Sequence, residues 1–429
     1  MAIKKHNGHS TKSTMRVCFI ANSNSSHAQR WIQYFCQSGS EVFILSTAKD
    51  PEPIKGAKIF PLSTSKAFGF INKRVKKRSR LDVSLAEPAK NGPIYAMTQL
   101  AKILYENALI TRLRSFYLIF LFTYKVKKIL RELKPDLIHC INLPIEGYIG
   151  GLLNYRPLII SSLGADFVFF ANKYLAFRWL TKKALKKADA HFADNIRDRY
   201  LAALFEFPPS KITAPIPGWG GLKLEEYHPY RDKEFTRKIV GIAPSTNVIF
   251  SSRDFRSPFV NTEALVQALP QTVEKFPDTL CILIGDTRSI GYPKLKKLTE
   301  ELKVQQYCRF IHRLEHVKFM DYLAASDILV SVSLYDGCSV SMIEGMACGV
   351  IPVVSNDFPK TEWVAHDWNG YLFDPTDQES ITKTIIEALD NKASSDVMRQ
   401  RNWKLVEEKA DYHTNMKIAE EIYRSFVDR

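Results

Sequence analysis

Short apolar runs separated by helix-length amphipathic stretches recur along this chain, and that rhythm admits few folds. RVCFIA at 16–21 is followed by a polar turn, NSNSSH, by the amphipathic stretch AQRWIQYFCQSG ending at a glycine, and then by EVFILST. A strand buried on both faces reads as a continuous apolar run, and a one-sided helix between two such runs makes a βαβ unit. DLIHC, LIISSLG at 158–164 and HFAD continue the series. The expectation is an α/β protein whose parallel sheets carry helices on both faces.

A second series begins with NVIFSSR at 247–253 and runs through LCILIGD, CRFIHRL, DILVSVS and VIPVVS, each separated from the next by a helix-length stretch. Between the two series, Pro208, Pro209, Pro215, Pro217 and the GWGG at 218–221 cluster as a linker does. A chain of 429 residues exceeds the size at which one hydrophobic core stops growing. Two doubly wound, Rossmann-like domains follow, with boundaries predicted as a basic tail at 1–14, a first domain at 15–216, a linker at 217–240, a second domain at 241–408 and a final helix at 409–429 returning to the first domain. An irregular basic and aromatic insertion at 62–130 interrupts the first domain.

The net charge of +15 is unevenly spread. Residues 1–216 hold 34 Lys/Arg against 14 Asp/Glu, or +20, and the remainder holds 26 against 31, or −5. The first half is therefore suited to an anionic partner. AFGFI at 67–71 followed by KRVKKRSR at 73–80 has the composition of a peripheral membrane contact with anionic lipid. Nucleic acid fits less well, because the basic runs lack the aromatic interleaving of single-strand binders. Seven scattered cysteines without C-x-x-C spacing indicate free thiols in a reducing compartment. The N-terminal residues are polar and basic with no apolar core behind them, and FYLIFLFTY at 116–124 is too short to span a bilayer. A cytoplasmic protein, or one peripheral on the inner face of the cytoplasmic membrane, is the expectation.

The segment ILVSVSLYDGCSVSMIEGMACG at 328–349 carries the most chemistry. An apolar strand runs into a loop of small polar residues and then into a short helix stopped at Gly349. This layout places the backbone amides of Gly337, Cys338 and Ser339 at a helix N-terminus on the carboxyl edge of a sheet, where phosphate-bearing ligands bind. Asp336 in the loop and Glu344 in the helix can accept hydroxyl hydrogen bonds from one extended ligand, each such charge-assisted bond contributing roughly 1.5 to 3 kcal/mol. A nicotinamide enzyme is disfavoured, since no G-x-G-x-x-G follows a strand.

This stretch, D-GCSVSMI-E-GMACGVIPVVS, and the later TEWVAHDWNGYLFDPTDQESI resemble the retaining glycosyltransferases of the GT-B fold in glycosyltransferase family 4. The resemblance is strongest from Ile328 to Pro375 and weak between residues 55 and 130. It implies two domains facing across a cleft, with Glu344 on the ribose hydroxyls and Asp336 on the transferred sugar. It assigns Arg253 to the donor diphosphate, with Arg256 as the nearest substitute for a lysine the family usually has there. It puts His312 and Arg313 near the nucleobase, leaving UDP and GDP open. In the first domain it points to the loop Asn22–His27 and the helix after it, with Asn24, His27 and Arg30 as cleft or acceptor contacts. It places His139 after a strand where the family often has two histidines; Ile141 stands at the second place. Asp166, in SLGAD, is implicated on the acceptor side, with a capping role as the alternative.

The activity implied is transfer of a hexose-type sugar, with retention, from a nucleotide sugar to a glycan or lipid-linked acceptor. Neither a metal nor another cofactor is implied, the nucleotide sugar being a substrate. The glycine-poor first loop, the missing second histidine and the missing lysine keep open a catalytically weak relative that binds sugar nucleotides as a scaffold. Oligomeric state is left open by the sequence.

Overall fold

The computed structural model describes residues 14–62, 109–253, 255, 260–391 and 394–428, with side chains placed at all of these except 109–115, 212 and 213. The basic run at 67–80, the rest of the insertion between 63 and 108, and Arg256 lie outside the described residues.

The first strand, β1 (Arg16–Ala21), is buried along nearly its whole length, as its apolar sequence requires. The helix that follows, Ser26–Gln37, buries Ala28, Trp31, Ile32 and Phe35, an i, i+3, i+4, i+7 stripe. It ends before Gly39, whose φ of +83° is open to glycine without strain. β2 (Glu41–Ser46) and β3 (Ala57–Pro61) extend the sheet on one side of β1. On the other side lie β4 (Leu137–Ile141), β5 (Leu158–Ser162), β6 (Ala190–Ala193) and β7 (Ile212–Pro215). The order β3-β2-β1-β4-β5-β6-β7 is parallel throughout.

The second sheet has the order β10-β9-β8-β11-β12-β13 and is also parallel throughout. Its strands are β8 (Asn247–Ser251), β9 (Thr279–Gly285), β10 (Cys308–His312), β11 (Ile328–Ser331), β12 (Ile351–Ser355) and β13 (Tyr371–Phe373). In both sheets the order reverses beside the first strand, at β1/β4 and at β8/β11. The loops leaving these paired strands diverge and open a crevice at the carboxyl edge.

Each sheet carries apolar layers on both faces, as the two doubly wound series predict. One layer of the first sheet is completed from far along the chain. The terminal helix Tyr412–Val427 buries Tyr412, Met416, Ala419 and Tyr423 among Phe19, Trp31 and Phe35. Phe35 and Tyr423 stack at 4.4 Å. Between the sheets, Pro217–Trp219 and Leu224–Glu226 form short 3-10 turns. The helix Lys233–Ile239, within the stretch read from sequence as linker, is tied to the second domain: Arg237 and Lys233 both pair with Asp327, at 2.7 and 2.9 Å.

Candidate functional site

The reversal point of the second sheet gathers the residues that the sequence pattern singled out. β8 and β11 are neighbours, with Ile249 opposite Ile328 and Phe250 opposite Leu329, so the loops carrying Arg253 and Asp336 leave the same edge side by side. The Arg253 guanidinium donates to Ser331 Oγ (2.8 Å), Ser339 Oγ (2.8 Å) and Asp336 Oδ2 (2.5 Å). It is a rigid planar donor whose geometry suits phosphate as well as carboxylate. Burial opposes ionisation of Asp336, but Arg253 and then Lys360 outweigh it and hold the carboxyl below the usual aspartate range.

The loop amides show what they attract. Gly337 N donates to Asp336 Oδ1 at 2.9 Å, and Cys338 N donates to Asp194 Oδ2 at 3.1 Å across the cleft. Two carboxylate oxygens thus take the amides expected to face an anion, which is the behaviour of a helix N-terminus. Ser339 is the residue before the helix Val340–Ala347 and is itself buried.

Glu344 projects from that helix and is only 5% exposed. Its Oε1 accepts hydrogen bonds from His316 Nε2 (3.0 Å) and Tyr227 Oη (3.1 Å). The bond to Glu344 raises the His316 pKa above its ordinary value, so the imidazolium is favoured there. Glu344 lines a cavity of about 660 Å³ together with His27, Arg30, Arg313, His316 and Ser341. The cavity therefore has walls from both domains.

The first-domain candidates divide. His27 and Arg30, on the helix after β1, reach the shared cavity. Burial and the Arg30 charge lower the His27 pKa to about 4, which leaves this imidazole neutral at pH 7. Its ring lies 5.8 Å from that of Trp219, and Arg30 donates to Gly221 O at 2.9 Å, so both touch the segment joining the domains. Asn24 does not join them. It donates to Asp50 O (2.8 Å) and accepts from Glu52 N (2.9 Å), bracing one loop against another.

His139 is not in the cleft, and its assignment as a catalytic residue is corrected. It is wholly buried, bonded through Nε2 to Ser161 Oγ at 2.5 Å and through Nδ1 to the hydroxyl of Tyr423. Its strand position faces the layer that the terminal helix covers, so the imidazole is a polar tie within the core. Burial lowers its pKa to about 3. Asp166 is a capping residue as well. Its Oδ2 accepts the amides of Leu143 (3.1 Å) and Leu163 (2.8 Å), joining the loops after β4 and β5 with 3% exposure. His312 and Arg313 are both exposed at the end of β10, and Arg313 lines the cavity.

Four contributors were not singled out from sequence: Tyr227, His316, Asp194 and Lys360. Lys360 is fully buried and donates to Ser355 Oγ at 2.9 Å and Asp357 Oδ2 at 2.5 Å. Ser355 Oγ in turn donates to Ser333 O (2.7 Å), so the lysine is linked to the strand end beneath the Asp336 loop. A lysine in the DFPK turn after β12 was a visible signal, but the resemblance directs attention to the loop after β8 instead.

Residues 232–404 match the family described as Glycosyl transferases group 1, and residues 81–195 match Glycosyl transferase 4-like. A GDP-mannose-dependent monoacylated alpha-(1-6)-phosphatidylinositol monomannoside mannosyltransferase of Corynebacterium glutamicum is 29% identical over 170 residues, 37% of this chain and 42% of that protein. A UDP-Gal:alpha-D-GlcNAc-diphosphoundecaprenol alpha-1,3-galactosyltransferase of Escherichia coli is 23% identical over 275 residues, 62% of this chain and 69% of that protein. The match thus spans less than half the length of the first of these relatives. Among solved structures, sucrose-phosphate synthase from Thermosynechococcus elongatus superposes with a TM-score of 0.73 at 16% identity, over 96% of this chain and 98% of that one. Anabaena HepE in complex with UDP and glucose gives 0.67 at 15% identity, over 96% and 100%. With both halves matched in sequence and the two-sheet architecture shared along nearly its whole length, the chain belongs to the GT-B glycosyltransferases of family 4.

Proposed function

We propose that this chain transfers a hexose-type sugar, with retention of anomeric configuration, from UDP- or GDP-sugar to a glycan or lipid-linked acceptor. The observation that carries this reading is the reversal-point cluster, in which Arg253 is bonded to Asp336 and Ser339 beside a two-domain cavity lined by Glu344. In this reading the diphosphate takes the Arg253 guanidinium and the amides of Gly337 and Ser339, displacing the Asp336 carboxylate held there. Glu344, fixed by His316 and Tyr227, accepts the ribose hydroxyls, and Asp336 accepts a hydroxyl of the sugar. Stabilising charge on the departing nucleotide is the main catalytic contribution. The leaving phosphate oxygen takes the acceptor's proton on the face where the new bond forms, which preserves the anomeric configuration.

An anionic membrane surface fits the first domain. The helix Leu109–Leu133 exposes Tyr117, Phe120 and Tyr124 with Lys127, Lys128 and Arg131, and the helix Leu175–Lys187 exposes Leu175 and Trp179 with Arg178 and Lys186. Phe116 stacks on Phe177 at 5.3 Å, so the two helices lie side by side. Aromatic and basic side chains on one face suit a lipid headgroup boundary. No helix among the described residues is long and apolar enough to cross a membrane. This arrangement would deliver a lipid-linked acceptor to the cleft from the inner membrane face.

Thermal stabilisation by a panel of UDP- and GDP-hexoses, followed by donor turnover, tests the proposal. One member of the panel is expected to stabilise wild type and to be turned over. Stabilisation without turnover, with or without candidate acceptors, would instead favour a scaffold that binds sugar nucleotides.

A further inference from the structure

Asp194, a first-domain side chain, meets the loop that precedes the helix Val340–Ala347. Asp194 follows β6, is 5% exposed, and accepts the Cys338 amide through Oδ2 at 3.1 Å. Its Oδ1 accepts a hydrogen bond from the Asn195 side chain. The approach is close enough to exclude any side chain at position 337, where a Cβ would lie 2.4 Å from Asp194 Oδ2 and 2.8 Å from Gly164 Cα. A Cβ at position 164 would lie 1.9 Å from Gly337 N. Glycine at both positions lets a loop of each domain meet backbone to backbone. Beside this contact, Ile196 N donates to both Glu362 oxygens, at 2.9 and 3.1 Å, fixing the start of the helix Ile196–Leu204 against the second domain. Asp194 is thereby held at the cleft from both sides.

We propose that Asp194 is a specificity-determining residue that forms the first-domain wall of the donor sugar subsite. This rests on the donor reading above. Its carboxylate oxygen accepts the hydrogen bond of the Cys338 amide. In the donor complex a sugar hydroxyl oxygen accepts from that amide and donates its own O–H to Asp194. A sugar with the hydroxyl in the other configuration leaves both the amide and the carboxylate without partners, which is how a polar site rejects an epimer. Burial, and then the charges of Asp198 and Asp336, push the Asp194 carboxyl well above the usual aspartate range, with Asn195 and Arg197 offsetting part of this, so a hydroxyl donated to it would favour the ionised form.

The test compares wild type, Asp194→Ala and Asp194→Asn in the full chain. Affinity for the free nucleotide, whichever of UDP or GDP binds wild type, is measured by calorimetry, and kcat/KM for epimeric hexose donors of that nucleotide is measured by donor turnover. Asp194→Ala should leave nucleotide affinity within about twofold while lowering kcat/KM for the preferred hexose roughly 10- to 100-fold more than for its epimer. Asp194→Asn, which keeps an acceptor oxygen, should retain part of the preference. An equal change for both donors in either direction overturns the proposal, because Asp194 would then only compete for the amide. Loss of nucleotide affinity together with a lowered unfolding midpoint overturns it too, by making the residue structural. If wild type binds neither nucleotide nor any of their sugars, the donor reading itself fails, whatever the variants do.

Discussion

Glu344 Oε1 lies 3.0 Å from His316 Nε2, and this pair joins the helix at 340–347 to the helix at 316–324 across one wall of the cavity. The His316 pKa is raised in the folded protein by its bond to Glu344. Its contribution to stability is therefore complete below the unfolded histidine value of about 6.5 and is lost as pH rises through the folded value. Unfolding midpoints measured from pH 5.5 to 8.5 should show a decline on the alkaline side that is shallower in His316→Gln than in wild type.

Removing the carboxylate itself should act on the donor. Glu344→Ala is expected to weaken binding of the nucleotide roughly 10- to 100-fold, the loss of one or two charge-assisted hydrogen bonds. Titration calorimetry with UDP and GDP reads this directly. Unchanged affinity would remove Glu344 from the site.

Arg253 is bonded to three side chains, Ser331 at the end of β11 and Asp336 and Ser339 in the loop after it, so shortening it has two effects. Arg253→Ala should lower kcat on the order of 100-fold or more, as loss of a preorganised donor to developing negative charge does. It also takes away the strongest influence holding Asp336 below its ordinary range, so the acid limb of the pH–kcat/KM profile should move to higher pH. Arg253→Lys should restore part of the charge effect but not the forked hydrogen bonding.

Lys360 is predicted to move the same limb more weakly, since its charge is the second cation acting on Asp336. Lys360→Met leaves Asp357 without its cationic partner, and breaking a buried ion pair costs about 3 to 5 kcal/mol. Denaturant unfolding should show this loss even when the pH profile is compared in the folded variant.

The opposite pattern is expected for His139. Because burial lowers its folded pKa to about 3, the unfolded chain binds a proton there that the folded chain does not. Stability attributable to it is lost as pH falls from about 6.5 toward the folded value. His139→Leu strips partners from Ser161 and Tyr423, at about 1 to 3 kcal/mol for each unsatisfied group. The variant should show a lower unfolding midpoint, a flatter acid limb of stability and, where folded, kcat within about threefold of wild type.

The two sheets were legible because each inner strand is an apolar run and each crossover a one-sided helix. Shorter edge strands were missed: β3 alternates and is half-exposed, β7 has four residues, and β13 has three. The Asp336–Glu344 segment was legible because its chemistry lies within one stretch of chain. Arg253 was reached through the resemblance and lands 2.5 Å from Asp336, 83 positions away. His139 misled because a strand's sequence does not say which end of its side-chain row meets the cleft and which meets a helix added nearly 300 residues later. Asp194 gains its meaning only from long-range contact across the cleft, and Lys360, although visible in the turn after β12, from the charge it sets near Asp336.

The Tyr423 hydroxyl, bonded to Trp31 and His139, sets an order on the birth of this protein. The first sheet leaves the ribosome early, yet the wall that covers Trp31 is translated 392 positions after it. Until that segment emerges, the nascent first half holds an apolar seam open to its surroundings. A chain stopped short of the terminal helix would thus harm the half of the molecule that was made first, while leaving the second half's own sheet intact.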